Sequence, residues 1–472
     1  MASEDWRQLH PASVVVNLLP RSWALVRGMW PLLLFVVYGQ SQQSDDGLQF
    51  VNASLLSLFF AIAAWNTLLH WATLRYRVHE GKLNVKTGLL NRQVRVIAPE
   101  RIQNIEMVRN IFHRMSGLVE VRIETASGTE VEGLLSALTV AEAGWLIDRM
   151  GRARTDMQTD EVTPPLVSNT FSDLLRYGAT TGRLGAMALA IGVAVEWIQW
   201  SDPEEVQNVG VVLGFLGGIA LVLAAISGAF VLGVGNAVIR HHGFRLTRLD
   251  SGLVSEEGLF TLRRVELPLS KVQLVTITEP ILRRVLGFGS VHIETAAARE
   301  DKGGVQQSEA MVPVVRGSRF AEVVRAALPD LDVNLQRLQL NPPHPKALLR
   351  ALLMASVRGI ILVAFMVWLA GTWGALALIF LPIGWATAWL DYSYQGWLVT
   401  ERVIIARRGW WSRKTQVVDR RKLQSMRLSQ GPFLRNWGLG VLGLRVAGSA
   451  VVLPVLSWEE AEAVQRSLLR GS

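Results

Sequence analysis

The densest group of chemically active residues in this sequence is a set of basic side chains around two adjacent tryptophans near the C-terminal end. Residues 391–472 hold 13 Lys and Arg against 6 Asp and Glu. Cationic groups beside indole rings suit an anionic membrane leaflet, where indoles prefer the headgroup level. An open alternative is that the tryptophans seal a domain core and the arginines form a solvated face. The candidate lipid-binding set comprises Arg407, Arg408, Trp410, Trp411, Arg413, Lys414, Arg420, Arg421 and Lys422.

Catalytic and metal-binding spacings are missing from the sequence. It has no cysteine, which excludes disulfides, thiol catalysis and cysteine-ligated metals. Its histidines form no HExxH spacing, and the adjacent His241 and His242 would point to different faces of a helix. Glu124 and Glu294 occupy matching Ile-Glu-Thr motifs, but strand alternation predicts a solvated face for both. We therefore predict no catalytic residue, no metal, no cofactor and no enzymatic activity.

Long apolar stretches predict membrane-spanning helices, each of which needs about 20 mostly apolar residues. The break Gly371-Thr-Trp-Gly374 divides the last stretch, of 32 residues, into two spans. Read in pairs, the stretches form three helical hairpins: Trp23–Gly39 with Phe50–Trp71, Leu184–Trp200 with Val209–Ile239, and the two halves of Gly359–Leu390. The first span is interrupted by Arg27 and Pro31, and a surface helix or re-entrant segment is its open alternative.

Charge placement predicts the orientation of these hairpins. None of the three tips contains Lys or Arg, whereas most basic residues lie on the other side of the spans. Because Lys and Arg beside a span stay in the cytoplasm, both termini and all large loops are predicted to be cytoplasmic. The first residues do not have the pattern of a cleavable signal peptide. Mixed apolar and basic segments at 9–18, 171–177 and 344–352 are predicted to lie in the membrane interface or, alternatively, on their own soluble domains.

An internal repeat follows each hairpin. In every copy a Gly precedes two large apolar residues, an apolar-Gln pair ends fifteen residues after that Gly, and a second Gly follows the Gln by fourteen. Glycine at a repeated position indicates a turn or bulge with positive φ. Alternating runs around these positions predict hairpins of short strands, and a helix with capping-box spacing closes copies 1 and 3. The repeat-defining residues are Gly88, Gln103 and Gly117, then Gly258, Gln273 and Gly287, then Gly409, Gln424 and Gly438.

The order of strands, Gly-apolar-apolar turn, Ile-Gln pair, later Gly and final helix resembles the bacterial pleckstrin-homology (PH) domain. Three copies, each behind a hairpin, resemble the YdbT-like family of bacterial membrane proteins. The resemblance implies an α+β membrane protein in which three transmembrane helical hairpins alternate with three small PH-like β-barrel domains, each capped by a C-terminal helix. Residues 1–74, 165–240 and 341–390 would form the membrane segments, and residues 75–152, 241–333 and 391–472 the PH-like domains.

These patterns predict a multi-pass protein of the bacterial inner (cytoplasmic) membrane that acts as a non-enzymatic scaffold or interaction module. Lipids of the anionic leaflet are the expected partners, together with membrane or cytoplasmic proteins and further copies of the chain. Nucleic acid is not expected, because a domain tethered to a membrane already lies beside lipid phosphates. A rival hypothesis is a transport or export component, which would use the charged residues Arg27, Arg183, Glu196 and Arg358 near the span ends.

Overall fold

The computed structural model of the chain falls into two compact units. One contains residues 1–163 with Phe260–Glu266, and the other contains Pro164–Leu259 with Leu267–Ser472. The predicted spans Trp23–Gly39 and Leu184–Trp200, except residue 192, and most of Phe50–Trp71 lie outside the described residues. The structure describes residues 6–14, 61–88 (apart from 62, 63, 66 and 70), 92–125, 133–150, 164–181, 192, 211–250, 252–296, 310–330 and 339–469.

The first unit contains copy 1 of the repeat as two antiparallel sheets and a closing helix. The sheets have the strand orders β1-β2-β3-β4 and β7-β6-β5. Thr139 caps the closing helix through the predicted box with Glu142, with both reciprocal hydrogen bonds formed. The elements are β1 (Arg7–Gln8), β2 (Arg75–His79), β3 (Lys82–Thr87), β4 (Gln93–Ile97), β5 (Ile102–Arg109), α1 (Ile111–Met115), β6 (Leu118–Thr125), β7 (Gly133–Thr139) and α2 (Val140–Arg149).

The core of this unit forms between the inward faces of its sheets and α2. Tyr76, Leu83, Ile105 and Leu146 are fully buried in one cluster. Leu9 joins the same cluster, and its carbonyl accepts a hydrogen bond from the Trp71 indole at 3.0 Å. In the described part of the opening segment, Leu9 thus packs into the core beside the sheet. The position of the whole segment 9–18 stays a prediction.

The second unit contains most of copy 2, all of copy 3 and the helices that precede them. It comprises β8 (Val167–Ser168), α3 (Phe171–Thr180), α4 (Val211–His241), β9 (Arg245–Arg248), β10 (Gly252–Glu257), the end of β11 (Leu262–Pro268), β12 (Val272–Pro280), α5 (Ile281–Val285), β13 (Phe288–Thr295), β14 (Ala310–Arg316), α6 (Phe320–Ala327), α7 (Pro345–Ala370), α8 (Phe380–Tyr394), β15 (Gly396–Val399), β16 (Val403–Arg408), β17 (Ser412–Asp419), β18 (Leu423–Ser429), α9 (Pro432–Asn436), β19 (Leu439–Val446), β20 (Ser449–Val452), β21 (Leu456–Ser457) and α10 (Trp458–Leu469).

Strands of successive copies pair with each other, so that one sheet contains strands from two copies. In the first unit, β11 pairs with β5 from Leu262 opposite Arg109 to Glu266 opposite Ile105. In the second, β17 pairs with β12 from Ser412 opposite Pro280 to Val418 opposite Leu274. Each pairing joins the third strand of one copy to the fourth strand of the copy before it. The described strands lie in open sheets, and in copies 1 and 2 the edge of the fourth strand is occupied by the third strand of the next copy. The small β-barrel of each copy stays a prediction.

The repeat-defining residues mark the same backbone features in every copy. All six glycines have positive φ, between 67° and 116°. Each Gln lies where the register of the fourth strand shifts by a β-bulge, between Ile102 and Asn104, between Val272 and Leu274, and between Leu423 and Ser425. A short 3-10 turn precedes each bulge. The recurring spacing thus records a turn and a bulge that bend each copy in the same way.

Helices α7 and α8 form an antiparallel pair joined by a 3-10 segment at Gly371–Ile379. Gly371, inside the predicted break, has φ +60°, and a Cβ at Gly359 would collide with the side chain of Leu381. The Trp385 indole donates to Ser356 Oγ at 2.8 Å across the pair. Within the described part of the chain, the helical stretch Pro345–Tyr394 is the one whose length and composition suffice to cross a membrane.

Candidate membrane-facing surface

The nine predicted basic and tryptophan residues lie toward the two ends of β17 rather than in one patch. Arg407, Arg408, Trp410, Trp411, Arg413 and Lys414 surround the turn between β16 and β17, whereas Arg420, Arg421 and Lys422 form the 3-10 turn after β17. A strand of eight residues rises about 26 Å, so the two groups lie far apart along β17. We call the first group the Trp hairpin and the second the basic turn.

The Trp hairpin lies at the end of the third copy that adjoins α8. Strand β15 begins two residues after α8 ends, and Gly396 pairs with Arg407. The end of β16 is therefore level with the exit of the apolar helix. Trp410 and Trp411 meet edge to face with ring centroids 5.5 Å apart, and Trp411 is 58% exposed. An exposed indole at a helix exit is typical of a membrane interface.

Helix α5 of copy 2 holds this hairpin in place. The Ile281 amide donates to the Trp411 carbonyl at 2.8 Å, and Arg284 Nη1 donates to the Trp410 carbonyl at 3.2 Å. The same guanidinium lies 4.6 Å from the ring centroid of Tyr394, the last residue of α8. Arg284 thus connects α5, the Trp hairpin and the end of α8.

Helix α5 presents large apolar side chains to solvent. Leu282 is 58% exposed, Val285 80% and Leu286 59%. Its other face is anchored, because the buried Arg283 donates to Thr180 Oγ1 at 3.1 Å and to Ser290 Oγ at 2.6 Å. Three adjacent exposed apolar residues on a firmly held helix, next to Trp411, form a surface that a soluble protein would not leave uncovered.

The equivalent short helices of the other two copies have the same character. In α1, Phe112 is 42% exposed and Met115 is 82% exposed. In α9, Phe433 is 69% exposed. At the fourth position of each short helix stands an arginine, and each helix is followed by the second repeat Gly. The Lys346 ammonium donates to the carbonyl of Trp437 at 3.3 Å, which places the end of α9 beside the first turn of α7.

Not all cations of the Trp hairpin are available to a ligand. Arg413 makes a bidentate pair with Glu279, with Nη2 to Oε1 at 2.7 Å and Nε to Oε2 at 2.9 Å. Burial lowers the pKa of Arg407, with a further contribution from nearby Arg413. Arg408 and Lys414 are exposed and make no salt bridge among the described residues. These two are the cations that the hairpin offers to solvent.

The basic turn is tied to the rest of the protein. Arg421 pairs with Asp419 and Asp330, and these hydrogen bonds raise its pKa. Arg420 donates to the Ser467 carbonyl, and Lys422 donates to the Ser270 carbonyl. The described contacts therefore favour a structural role for this turn, which connects copy 3 to copy 2 and to α10.

The two repeated glutamates differ from the prediction of a solvated strand face. Glu294 is buried, accepts from Ser449 Oγ at 2.6 Å, and has a pKa raised by burial. Glu124 is partly buried, accepts from Asn104 at 3.0 Å, and its pKa is also raised by burial. The prediction fails because other side chains cover the outer face of the strand, as Ser449 at the start of β20 covers Glu294.

No cluster of three potential metal ligands occurs among the described residues. His241 is buried and meets Glu257, with Nδ1 2.6 Å from Oε2, and its ring packs edge to face on Tyr177. Of the two adjacent histidines, His241 thus connects the end of α4 to β10.

Sequence reasoning missed the short helices, although their signal is present. Directly before each second repeat Gly, the chain reads Ile-Phe-His-Arg-Met-Ser, Ile-Leu-Arg-Arg-Val-Leu and Pro-Phe-Leu-Arg-Asn-Trp. A large apolar residue always stands second and an arginine fourth. Five-residue helices are too short to show amphipathic periodicity, so the pattern is visible only by comparing the copies.

Comparison with known proteins agrees with this repeated architecture. Residues 32–154, 170–329 and 352–472 each match the bacterial PH domain family. The chain is also similar to the UPF0699 transmembrane protein YdbT of Bacillus subtilis (strain 168), with 24% identity over 480 residues that cover 95% of this chain and 94% of the relative. No solved structure matches. The predicted resemblance is confirmed, and with three matched segments across most of its length, this membrane protein belongs to the bacterial PH domain family.

Proposed function

We propose that this protein is a multi-pass, non-enzymatic scaffold of the bacterial cytoplasmic membrane whose PH-like copies contact anionic lipid on the cytoplasmic face. The observation that carries the proposal is the repeated short helix, which exposes large apolar residues beside an arginine in every copy. In copies 2 and 3 this helix adjoins the end of an apolar or amphipathic helix.

The topology rests on charge and on the described helices. The stretch Pro345–Tyr394 is long enough to cross twice if it reverses at Gly371, and its tip contains no Lys or Arg. Helix α4 has 31 residues, about 46 Å at 1.5 Å per residue, with Arg240 and His241 in its last turn. The basic end of α4, which leads into copy 2, supports a cytoplasmic position for that copy.

The lipid contact follows from the chemistry of the surface. Leu282, Val285 and Trp411 would enter the boundary between headgroups and acyl chains, where apolar side chains gain free energy by leaving water. Arg408 and Lys414 would remain at the phosphate level, where each cation contributes about 1 kcal/mol near an anionic leaflet. Several such contacts on one chain add avidity and would fix the copies against the bilayer.

The absence of native cysteine allows a direct test on the full-length protein. We would attach an environment-sensitive fluorophore to Val285→Cys in nanodiscs that contain about one third phosphatidylglycerol. Contact with lipid predicts a blue-shifted emission that brominated lipids quench. The control label at Glu462→Cys, an exposed site on α10, should remain unquenched. Equal emission and quenching at the two sites would refute the membrane-facing surface.

The role of the exposed cations can be measured with the same label. Quenching by brominated phosphatidylglycerol should exceed quenching by brominated phosphatidylcholine at equal lipid fraction, because Arg408 and Lys414 enrich anionic lipid nearby. In Arg408→Gln/Lys414→Gln this excess should fall, whereas the control Arg325→Gln/Arg466→Gln on the closing helices should retain it. An unchanged excess in the first variant would remove anionic selectivity from the proposal.

The rival role in transport gains no specific support from the described residues. Arg27, Arg183 and Glu196 lie outside them. Arg358 in α7 donates to the carbonyl of Met354 in its own helix at 3.2 Å. A scaffold role requires no flux of solute, and vesicles reconstituted with the protein should show none above empty vesicles.

A further inference from the structure

The junction between copies 1 and 2 and the junction between copies 2 and 3 have the same strand register. In the first unit, Arg263 of β11 lies opposite Val108 of β5, and Glu266 lies opposite Ile105. The equivalent residues of the next copies meet in the second unit, where Lys414 of β17 lies opposite Thr278 of β12, and Val417 lies opposite Val275. A third strand and a fourth strand of this repeat are therefore complementary edges with a fixed alignment.

One edge of each kind is left over. The third strand of copy 1, β4, ends its sheet beyond β3, and the fourth strand of copy 3, β18, ends its sheet beyond β19; neither pairs further within the described part of the chain. The fourth strands of copies 1 and 2 are paired with the third strands of copies 2 and 3. Among the described residues, the third strand of copy 1 and the fourth strand of copy 3 each keep an unpaired edge.

Burial agrees with the two unoccupied edges. Seven of the eight residues of β5 are buried and six of the nine of β12, but none of the seven in β18. On the other side, β11 has no exposed residue, whereas four of the five residues of β4 are exposed. Val94 and Val96 are each 55% exposed on β4. An exposed edge of this kind is a template for another strand.

We infer that β4 of one chain pairs with β18 of a second copy of this chain, in the register of the internal junctions. Gln93 occupies the repeat position of Lys414, five residues after the first repeat Gly, and Ser429 occupies that of Thr278, five residues after the repeat Gln. The register of the internal junctions therefore places Gln93 opposite Ser429, Val94 opposite Leu428 and Val96 opposite Met426. Leu428 and Met426 already pack against the core of copy 3. The two valines would extend this apolar row, as Val417 of β17 does beside Val275 of β12.

The resulting assembly is head to tail. The two edges belong to different copies, so each chain offers one donor edge and one acceptor edge, and the contact yields a closed ring or an open chain of molecules. This inference concerns the sheet edges alone and does not depend on lipid binding by the short helices.

The same register places Arg95 opposite Arg427. Like charges directly across a strand pair are unfavourable. The pairing should therefore strengthen when one of these arginines becomes acidic and weaken again when both do. No other alignment of the two strands gives this pattern for this pair of residues.

Disulfide trapping tests the inference on the full-length protein in membranes, since the chain has no native cysteine. Gln93→Cys and Ser429→Cys are made on separately tagged chains, mixed and oxidised. We expect an adduct of one chain of each kind in the mixture and none from either variant alone. The positive control is Thr278→Cys/Lys414→Cys, the equivalent internal pair, which should close within one chain. Replacing Ser429→Cys by the exposed Glu462→Cys gives the rate of random collision.

The outcomes separate the alternatives. An adduct several-fold above the Glu462→Cys rate, increased by Arg427→Glu and reduced again by adding Arg95→Glu, supports the edge pairing. No adduct under conditions that close the internal control would overturn it. An adduct of Ser429→Cys with a different protein, without one to Gln93→Cys, would also overturn it, because the edge would then serve another partner. Charge effects of the opposite sign would refute the register.

Discussion

Replacement of Glu279 by Gln tests whether the junction between copies 2 and 3 depends on its ion pair. The change preserves the size of the side chain but removes the charge that Arg413 faces. The Glu279 side chain is 11% exposed and that of Arg413 is 23% exposed. Breaking a fully buried pair costs about 3–5 kcal/mol, and exposed pairs contribute about 0–1 kcal/mol. For this mostly buried pair we expect the free energy of unfolding of the second unit to fall by about 2–3 kcal/mol.

Thermal unfolding in detergent, followed by tryptophan fluorescence, measures the effect. At about 2–4 °C per kcal/mol for a unit of this size, Tm should fall by roughly 4–12 °C. Arg413→Gln should cost a similar amount, and the double variant Glu279→Gln/Arg413→Gln clearly less than the sum, because the second change removes an already unpaired charge. Arg466→Gln, whose partner Glu462 lies 3.7 Å away on the surface, should cost less than about 1 kcal/mol. Additive losses in the double variant would refute the coupling.

Two further predictions concern a turn and the partly buried His292. Gly409→Ala should destabilise the protein by more than about 2 kcal/mol, because φ is +84° and the new Cβ would meet the Ser412 carbonyl oxygen at 2.5 Å. Gly438→Ala, with φ +67° and open space around the Cβ, should cost only about 1 kcal/mol, and equal losses in chemical denaturation would contradict this. Burial, with Lys414 and Arg283 nearby, lowers the pKa of His292 to about 4. Because the unfolded chain binds this proton below about pH 6.5 and the folded chain does not until about pH 4, up to about 3 kcal/mol of stability should be lost over that interval as pH falls. The His292→Gln variant should lose less stability over the same interval, and an identical pH profile of Tm would disprove the assignment.

Much of the local structure could be predicted from the repeat. The positive φ of the six glycines and the capping boxes at Thr139 and Ser457 follow from short-range chemistry that the sequence displays directly. The bulge at each Gln appears only in the strand register. The break at Gly371 was equally visible, because an apolar stretch of 32 residues exceeds one span. Features of this kind depend on the backbone within a few residues.

Contacts between copies could not be predicted in the same way. Arg413 and Glu279 lie 134 residues apart in the sequence. Only the pairing of β17 with β12 brings their side chains together as an ion pair. The same applies to Glu294. The alternation along its strand predicts a solvent-exposed side chain, but Ser449, 155 residues away in the sequence, covers it. The proposed lipid contact differs from the predicted set for this reason. Arg413 and Arg421 form ion pairs with carboxylates, whereas apolar residues of the short helices are exposed.

The pairing of β5 with β11 means that the sheet of copy 1 is completed only after part of copy 2 has been synthesised. Strand β5 ends at Arg109, but its partner begins at Leu262, roughly 150 residues later. At about 5–20 residues per second, the ribosome needs roughly 8–30 s to deliver that partner. During this interval α4 is synthesised while the edge of copy 1 stays open. Completion of this sheet therefore depends on translation beyond residue 262, and a chain that stalls earlier would expose an unpaired strand edge, which is a template for aggregation.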